Sequence, residues 1–332
     1  ALKSCEVDFN NPPPVAQMIV SVNDVPLGTQ GNLLCITGGE GTGKSNYVAA
    51  LIAGAVKPEN AEGIDTLGVS IEGNPKGKSV LFYDTEQSEV QLYKNVSTLL
   101  RRCGRDMMPE WFKAYCLTGM SRKERLKSIV LSMDKFHYQY GGIHLVVIDG
   151  IADLIRCAND EAESIAVVEE LYRLAGIYNT CIVTVLHFIP NGLKLRGHLG
   201  SELQRKAAAI LSIEKDTKPA VSVVKALKVR DGSPLDVPLM QFAWDKEKAM
   251  HAYLGEKPKE EKDRRKEEEL VAVARELFSR KRFIGYMELS EELQAAFEVK
   301  ERTAKSYIRF MREKEIIVKS PDSPNSYMLG EV

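Results

Sequence analysis

The sequence of 332 residues has no apolar run of about 18 residues, the shortest length typical of a membrane-spanning helix. Its first residues also lack the basic segment followed by an apolar segment that is typical of a secretory signal. The formal net charge is −1, so overall charge neither favours nor opposes a nucleic-acid partner. We therefore expect no membrane association and no export.

Cysteine pairs at metal-binding or redox spacing are absent as well. The six cysteines are scattered, and no two of them form a Cys-x-x-Cys motif. Cys35 and Cys181 lie in apolar, strand-like segments, where a free thiol packs as a small hydrophobic group. This pattern favours a reducing, cytoplasmic compartment.

The segment 38–45 carries the strongest functional pattern. It fits Gly-x-x-x-x-Gly-Lys-Ser/Thr, follows the apolar run Leu33–Thr37 and precedes a helix-forming segment. A strand, a glycine loop and a helix N-terminus together make an anion site, because backbone N–H groups and the helix dipole both favour phosphate. The pattern predicts a nucleoside triphosphate and Mg²⁺ site, with Lys44 on the β/γ-phosphates and Ser45 on the metal. The nucleotide-binding residues are predicted to be Gly38, Gly39, Gly41, Thr42, Gly43, Lys44, Ser45 and Asn46.

Two further strand-like segments end in carboxylates. Leu145–Ile148 leads into Asp149, a Walker B pattern whose carboxylate is predicted to hold the Mg²⁺ water shell. Ser79–Tyr83 is followed by Asp84 and Glu86. Because ligands bind at the carboxyl ends of strands in a doubly wound sheet, we predict that Glu86 polarises the attacking water. Asp84 shares a face with it in an extended chain and is the alternative.

His187 follows another strand-like segment, Cys181–Leu186. We predict that it contacts the γ-phosphate or the water, and a buried histidine without such a role is the alternative. The next stretch, 189–200, contains three glycines together with Lys194 and Arg196. These two cations are predicted to contact DNA from a loop whose position depends on the nucleotide. A plain surface loop is the alternative.

Lys228 and Arg230 precede Asp231-Gly232, a hairpin turn signal. Residues two apart in a strand point to one face, so the two cations should project together. If the hairpin reaches a neighbouring subunit's nucleotide, the pair can neutralise transition-state charge in trans, as an arginine finger does. The alternative is a solvated hairpin.

The order of elements predicts the fold class. Strand-like and helical segments alternate up to Lys206, which indicates an α/β fold with a doubly wound, mostly parallel sheet. Beyond Lys206 strand-like segments predominate, which indicates an antiparallel extension of that sheet. The expected organisation is an extended segment and hairpin at 1–32, the core at 33–256, a charged linker at 257–269 and a second domain at 270–332.

The second domain has the outline of a winged helix-turn-helix, with three helices followed by two short strands. Apolar residues recur at helical spacing from Leu270 to Phe278, and Ser290 has the features of an N-cap for the second helix. The third helix places cations opposite its apolar face, as expected for a helix that docks in the DNA major groove. Protein contact is the alternative. These cations are Arg302, Lys305, Arg309 and Arg312.

Together these motifs resemble the RecA-fold core of ring-forming DNA motors, the DnaB and plasmid RepA type of hexameric helicase. The resemblance covers roughly residues 15–255 and rests on the phosphate loop, the Walker B strand, Asp84-Thr85-Glu86, His187 and Lys228-Val229-Arg230. It implies a RecA-like ATPase that needs ATP and Mg²⁺ and assembles as a homo-oligomer. The segment 197–206, with the C-terminal unit, is most similar to RepA-like ATPases of bacterial mobile elements.

Several functions remain compatible with these patterns. A DNA-dependent ATPase that moves on or remodels DNA as a ring is the first, and a non-unwinding mediator of recombination or transposition, or a filament former, is the second. A transcriptional or partition regulator that only senses ATP is the third. A small-molecule kinase is disfavoured, because the chain has a paired-cation hairpin and the outline of a winged helix in place of an arginine-rich lid. A GTPase is disfavoured, because no Asn/Thr-Lys-x-Asp signature follows Asp149.

Overall fold

A computed structural model describes residues 6–187, 197–216, 220–297, 299–320 and 326–330, without the side chains of 259–262. The strands are β1 (Met18–Val22), β2 (Val25–Thr29), β3 (Leu33–Gly38), β4 (Ser70–Ile71), β5 (Ser79–Asp84), β6 (Phe112–Cys116), β7 (Ile143–Asp149), β8 (Cys181–His187), β9 (Ala209–Lys215), β10 (Val221–Val229), β11 (Met240–Asp245), β12 (Met250–Glu256), β13 (Ile284–Gly285), β14 (Ile317–Lys319) and β15 (Ser326–Leu329). The helices are α1 (Lys44–Val56), α2 (Glu89–Arg102), α3 (Arg122–Gln139), α4 (Glu161–Ile177), α5 (Gly197–Lys206), α6 (Lys259–Arg280), α7 (Tyr286–Phe297) and α8 (Glu301–Glu313). Within these residues, none of the helices is long and apolar enough to cross a membrane.

A nine-stranded sheet in the order β12-β11-β10-β9-β3-β8-β7-β5-β6 forms the centre of the molecule. Along this order, β9, β3, β8, β7, β5 and β6 are each parallel to their neighbours, whereas β12, β11, β10 and β9 pair antiparallel. The predicted α/β class, with a mixed and mostly parallel central sheet, is therefore confirmed.

Helices cover both faces of this sheet, as the alternating side chains of β3 show. Leu34 and Ile36 pack in a cluster with residues of α1 and α2, whereas Leu33 and Cys35 pack in a second cluster with residues of α3, α4 and α5. Parallel strands need long crossover connections, and the helices supply them. As a result, the carboxyl ends of β3, β5, β7 and β8 meet at one edge of the sheet.

A smaller unit contains α6, α7 and α8 and a sheet of order β13-β15-β14 around its own apolar core. The charged segment expected as a linker is helical from Lys259 onward. Ion pairs between residues four apart, such as Arg265–Glu269 at 2.8 Å, stabilise this helix. The predicted N-cap at Ser290 is wrong. The helix α7 begins before Ser290, at Tyr286. Leu289 and Leu293 lie one turn apart on its buried face, so both pack in the core of the unit.

The connection between β10 and β11 also differs from its prediction. Pairing between the two strands runs only from Val221↔Ala243 to Val224↔Met240, so Asp231-Gly232 is not a tight hairpin turn. Residues 230–239 instead form a longer connection, because Leu235 is buried in the apolar core of the C-terminal unit.

Candidate nucleotide-binding and catalytic site

The predicted phosphate loop joins β3 to α1. Gly43, the N-cap of α1, has φ of 95°, a left-handed conformation that glycine adopts without strain. Lys44 is 6% exposed, and its Nζ donates to the carbonyl oxygens of Gly38 at 3.0 Å and Gly39 at 2.6 Å. Burial lowers the pKa of Lys44, and nearby carboxylates led by Glu86 oppose that effect. The ammonium group thus lies inside the curl of the loop, where a phosphate would compete with these carbonyls.

The rest of the predicted nucleotide set lies beside this lysine. The Thr42 hydroxyl donates to the carbonyl of Gly39 at 2.9 Å, which closes the loop on itself. Ser45 and Asn46 occupy the first turn of α1, where backbone N–H groups have no intrahelical partners. The loop residues are Gly38, Gly39, Gly41, Thr42 and Gly43.

Two buried carboxylates lie side by side at the sheet edge. Asp84 ends β5, Asp149 ends β7, and the two are register partners in the parallel pair. Their Oδ2 atoms are both buried and without a hydrogen-bond partner. Burial raises the pKa of Asp149 to about 7, and repulsion from Asp84 and Glu86 adds to the rise. Adjacent buried carboxylates with unpaired oxygens are the arrangement that a divalent cation stabilises.

The donor set around Asp149 fits Mg²⁺ held together with phosphate. The Ser45 hydroxyl acts on Asp149 and partly opposes the rise of its pKa, so the two groups are neighbours. Among the described residues, no group of three or more His, Cys, Asp or Glu side chains could hold a metal by itself. Mg²⁺ commonly binds through one or two carboxylates, substrate phosphates and waters. A Mg²⁺ ion at Asp149 would need phosphate oxygens and waters to complete its coordination.

Glu86 and His187 form a hydrogen-bonded pair beside these groups. His187 Nε2 lies 3.3 Å from Glu86 Oε2, and His187 is the register partner of Gly38 at the start of the phosphate loop. This hydrogen bond is the main cause that lowers the pKa of Glu86. The side chains are 35% and 30% exposed, so water reaches both of them.

Asp84, the alternative to Glu86, has a different environment. It is fully buried, and its Oδ1 accepts the backbone N–H groups of Glu86 at 3.0 Å and Gln87 at 2.8 Å. Burial raises the pKa of Asp84, and these hydrogen bonds oppose the effect. Asp84 shapes the end of β5, whereas the Glu86 carboxylate is the one that faces water.

Two residues without a predicted role, Thr85 and Gly150, join the ends of β5 and β7. The Thr85 hydroxyl donates to the carbonyls of Asp149 at 3.0 Å and Gly150 at 2.9 Å. Gly150 has φ of 94°, and a Cβ atom there would lie 2.7 Å from Glu86 Cγ. Any larger residue there would therefore displace Glu86 or the Thr85 hydroxyl, which lies still closer to that position. The sequence signal for both was their position beside the strand-end carboxylates, with Thr85 inside the Asp84-Thr85-Glu86 motif.

Lys228 and Arg230 contact the end of α5. Lys228 Nζ donates to the carbonyl of Gln204 at 2.6 Å, and Arg230 Nη2 donates to the carbonyls of Lys206 at 3.0 Å and Arg205 at 3.4 Å. Cations are stabilised at a helix C-terminus by the free carbonyls and the helix dipole. The fold thus brings Lys44 together with Glu86, Asp149 and His187, whereas Lys228 and Arg230 lie at the C-terminal end of α5.

The predicted nucleic-acid contacts divide into two groups. Lys194 and Arg196 lie outside the described residues. The four cations of α8 are exposed, but Lys305 pairs with Glu301 at 2.6 Å and Arg309 pairs with Glu313 at 2.8 Å. These acidic partners offset part of the positive charge on that face. The exposed cations are Arg302, Lys305, Arg309 and Arg312.

Comparison with known proteins agrees with this geometry. The profile of the AAA domain family AAA_25 matches residues 4–191, a range that includes the phosphate loop, Glu86, Asp149 and His187. The curated proteins contain no match to the chain.

Proposed function

The chain belongs to the AAA_25 family of AAA domains, P-loop ATPases of the DnaB/RecA-like type, and from that premise we propose a DNA-dependent ATPase. Hydrolysis at the interfaces of a homo-oligomer drives movement on DNA or its remodelling, in a RepA/DnaB-like helicase of a mobile genetic element. We also propose that the protein acts in the cytoplasm. The observation that supports it best is the water-accessible Glu86–His187 pair, 3.3 Å apart, beside buried carboxylates with unpaired oxygens.

ATP binding follows from the phosphate loop. Lys44 exchanges its carbonyl contacts for the β/γ-phosphates, and the N–H groups at the start of α1 face the β-phosphate. Ser45 and Asp149 would hold Mg²⁺, which when bound neutralises charge across the β- and γ-phosphates. Binding a cation also removes the cost of ionising Asp149 beside Asp84.

Hydrolysis requires a group that accepts the proton of the attacking water. The water oxygen forms a bond to the γ-phosphorus, its proton passes to Glu86, and the bond to the β–γ bridging oxygen breaks to give ADP and phosphate. His187 orients Glu86 and keeps it ionised, because its hydrogen bond lowers the pKa of that carboxyl group. Since the chain continues from His187 into 188–196, loss of the γ-phosphate is passed to Lys194 and Arg196, which contact DNA.

Lys228 and Arg230 act on the site of the neighbouring subunit, where they neutralise charge in the transition state. Their hydrogen bonds to α5 carbonyls are exposed, so phosphate can replace those partners at small cost. This action requires an assembly, either a ring or a filament, in which the cation pair of one subunit lies against the nucleotide of its neighbour.

We assign DNA binding to the C-terminal unit, residues 270–332, which we propose is a winged helix domain. In this organisation the segment 257–269 joins it to the core at 33–256, and the segment 1–32 precedes the core. The order of three helices with a small three-stranded sheet in the C-terminal unit fits that class. The exposed cations of α8 lie opposite its buried face, as phosphate contacts require.

The test is ATP turnover with no DNA, with single strands and with duplex, together with a strand-separation assay. Glu86→Gln should lower kcat by about 100-fold or more and retain ATP binding. Glu89→Gln, which changes an exposed glutamate at the start of α2, should leave both unchanged. Stimulation by single strands with strand separation supports the motor. Stimulation by duplex without separation supports the mediator instead, which the cationic face of α8 also fits. Normal turnover in Glu86→Gln would refute the catalytic assignment.

A further inference from the structure

The segment directly after the cation pair is anchored in the C-terminal unit. Leu235 is 4% exposed and belongs to the apolar core formed by α6, α7 and α8. The Ser233 hydroxyl is hydrogen-bonded to the hydroxyl of Tyr307 on α8, and Ser233 Oγ accepts the backbone N–H of Leu235 at 3.1 Å. One loop therefore runs from the end of β10 into the core of the other unit.

Helix α8 has two faces with different neighbours. Tyr307 is 1% exposed, meets the loop through Ser233, and has the Phe297 ring at 5.3 Å in an edge-on arrangement. The opposite face carries the exposed cations, of which Arg309 is 83% exposed at its side chain. A ligand that moves α8 must therefore also move the partner of Ser233.

Another contact joins the C-terminal unit to the core beside the same pair. Arg265 of α6 donates to the carbonyl of Ala226 at 2.7 Å, next to the bulge that precedes Lys228. Between the two units lies a cavity of about 510 Å³ whose lining includes Lys228, Glu269 and Phe297. The cavity leaves space beside the Lys228 side chain, and the backbone N–H of Arg230 donates to the carbonyl of Ala208 at 2.7 Å, so the cation pair lies between the sheet and the anchored loop.

We propose that Ser233, Leu235 and Tyr307 are positioning residues through which nucleic acid on α8 sets the position of the Lys228–Arg230 pair. This inference rests on the proposed function of that pair. Three peptide units separate Arg230 from Ser233, and an extended chain spans at most about 3.6 Å per residue, so little slack is available to absorb a shift of the anchor. Displacement of α8 is therefore transmitted to the guanidinium group and changes hydrolysis in the neighbouring subunit.

The experiment uses the full chain and compares Ser233→Ala, Tyr307→Phe and the double variant by kcat and KM for ATP, without DNA, with single strands and with duplex DNA. DNA stimulation of kcat should fall by about fivefold in Tyr307→Phe and by at least as much in Ser233→Ala, which also loses the hydrogen bond from the Leu235 N–H. The double variant should fall no further than Ser233→Ala, because the bond between the two hydroxyls is already lost there. The KM for ATP should stay unchanged, because the phosphate loop is untouched. Tyr327→Phe removes a tyrosine hydroxyl from β15 of the same unit and should retain full stimulation.

Each other outcome has a definite meaning. Full stimulation in Ser233→Ala and Tyr307→Phe, or an equal loss in Tyr327→Phe, overturns the coupling. Arg230→Ala separates the two hypotheses. If Arg230→Ala hydrolyses ATP normally, or if DNA does not stimulate the wild type, the proposed function fails as well. If Arg230→Ala is inactive and the hydroxyl variants behave as wild type, only the coupling is refuted.

Discussion

Replacing Asp149 by Asn should stabilise the protein when nucleotide and metal are removed. Burial and the neighbouring carboxylates raise the pKa of Asp149 from 3.8 to about 7 in the folded protein. Well below pH 4 the group is protonated in both states and contributes no difference. Between pH 4 and 7 the unfolded chain releases this proton while the folded chain keeps it, so the contribution of Asp149 to stability falls as pH rises. Asn resembles the protonated acid at every pH and removes that loss.

The size of the effect follows from the difference between the two pKa values. That difference corresponds to at most about 4 kcal/mol in the free energy of unfolding above pH 7. We expect about 2–4 kcal/mol, because water that enters the site relieves part of the cost of burial. The same variant should lose Mg²⁺-dependent turnover, so stability and activity oppose each other at this position.

The assay is urea unfolding at pH 5 and pH 8 in the presence of a chelator, for the wild type, Asp149→Asn and Asp153→Asn. The gain of Asp149→Asn over the wild type should be larger at pH 8 than at pH 5. Asp153 is the control, because its side chain is 44% exposed and pairs with Arg125 at 3.5 Å. Asp153→Asn should lose up to about 1 kcal/mol at pH 8, the opposite sign. An equal or smaller gain at pH 8 would refute the reasoning.

The other predictions concern turnover and DNA binding. Glu86→Gln should lower kcat by about 100-fold or more and leave ATP affinity unchanged in a binding titration, because the carboxylate acts on the water. Mixing equal amounts of Lys44→Ala and Arg230→Ala subunits should restore about a quarter of wild-type turnover, since random assembly creates that share of intact interfaces. Arg309→Ala should reduce the salt dependence of duplex binding by about one counterion, measured by titration at several salt concentrations, whereas Arg173→Ala on α4 should not.

These predictions have distinct contrary results. ATP affinity that falls together with kcat in Glu86→Gln would indicate a role in binding. No recovery at any mixing ratio would favour action of Arg230 within its own subunit. Equal salt slopes for Arg309→Ala and the wild type would place DNA elsewhere on the protein.

The sequence alone determined the parts of the site that are contiguous in the chain. The phosphate loop, the Asp149 strand and the α/β class followed from local patterns, because a strand, a glycine loop and a helix N-terminus create an anion site wherever they occur together. The helical stripe that begins at Leu270 was readable for the same reason, since its period is a property of the chain itself.

Only the tertiary structure decided which strand ends meet. His187 and Glu86 are 101 residues apart, and Asp84 meets Asp149 because β5 and β7 are neighbours in the sheet. Strand order and burial depend on the whole fold, and no local pattern encodes them. The same holds for Leu235, which lies in the connection between two strands of the central sheet and is buried in the core of the other unit, among residues of α6, α7 and α8.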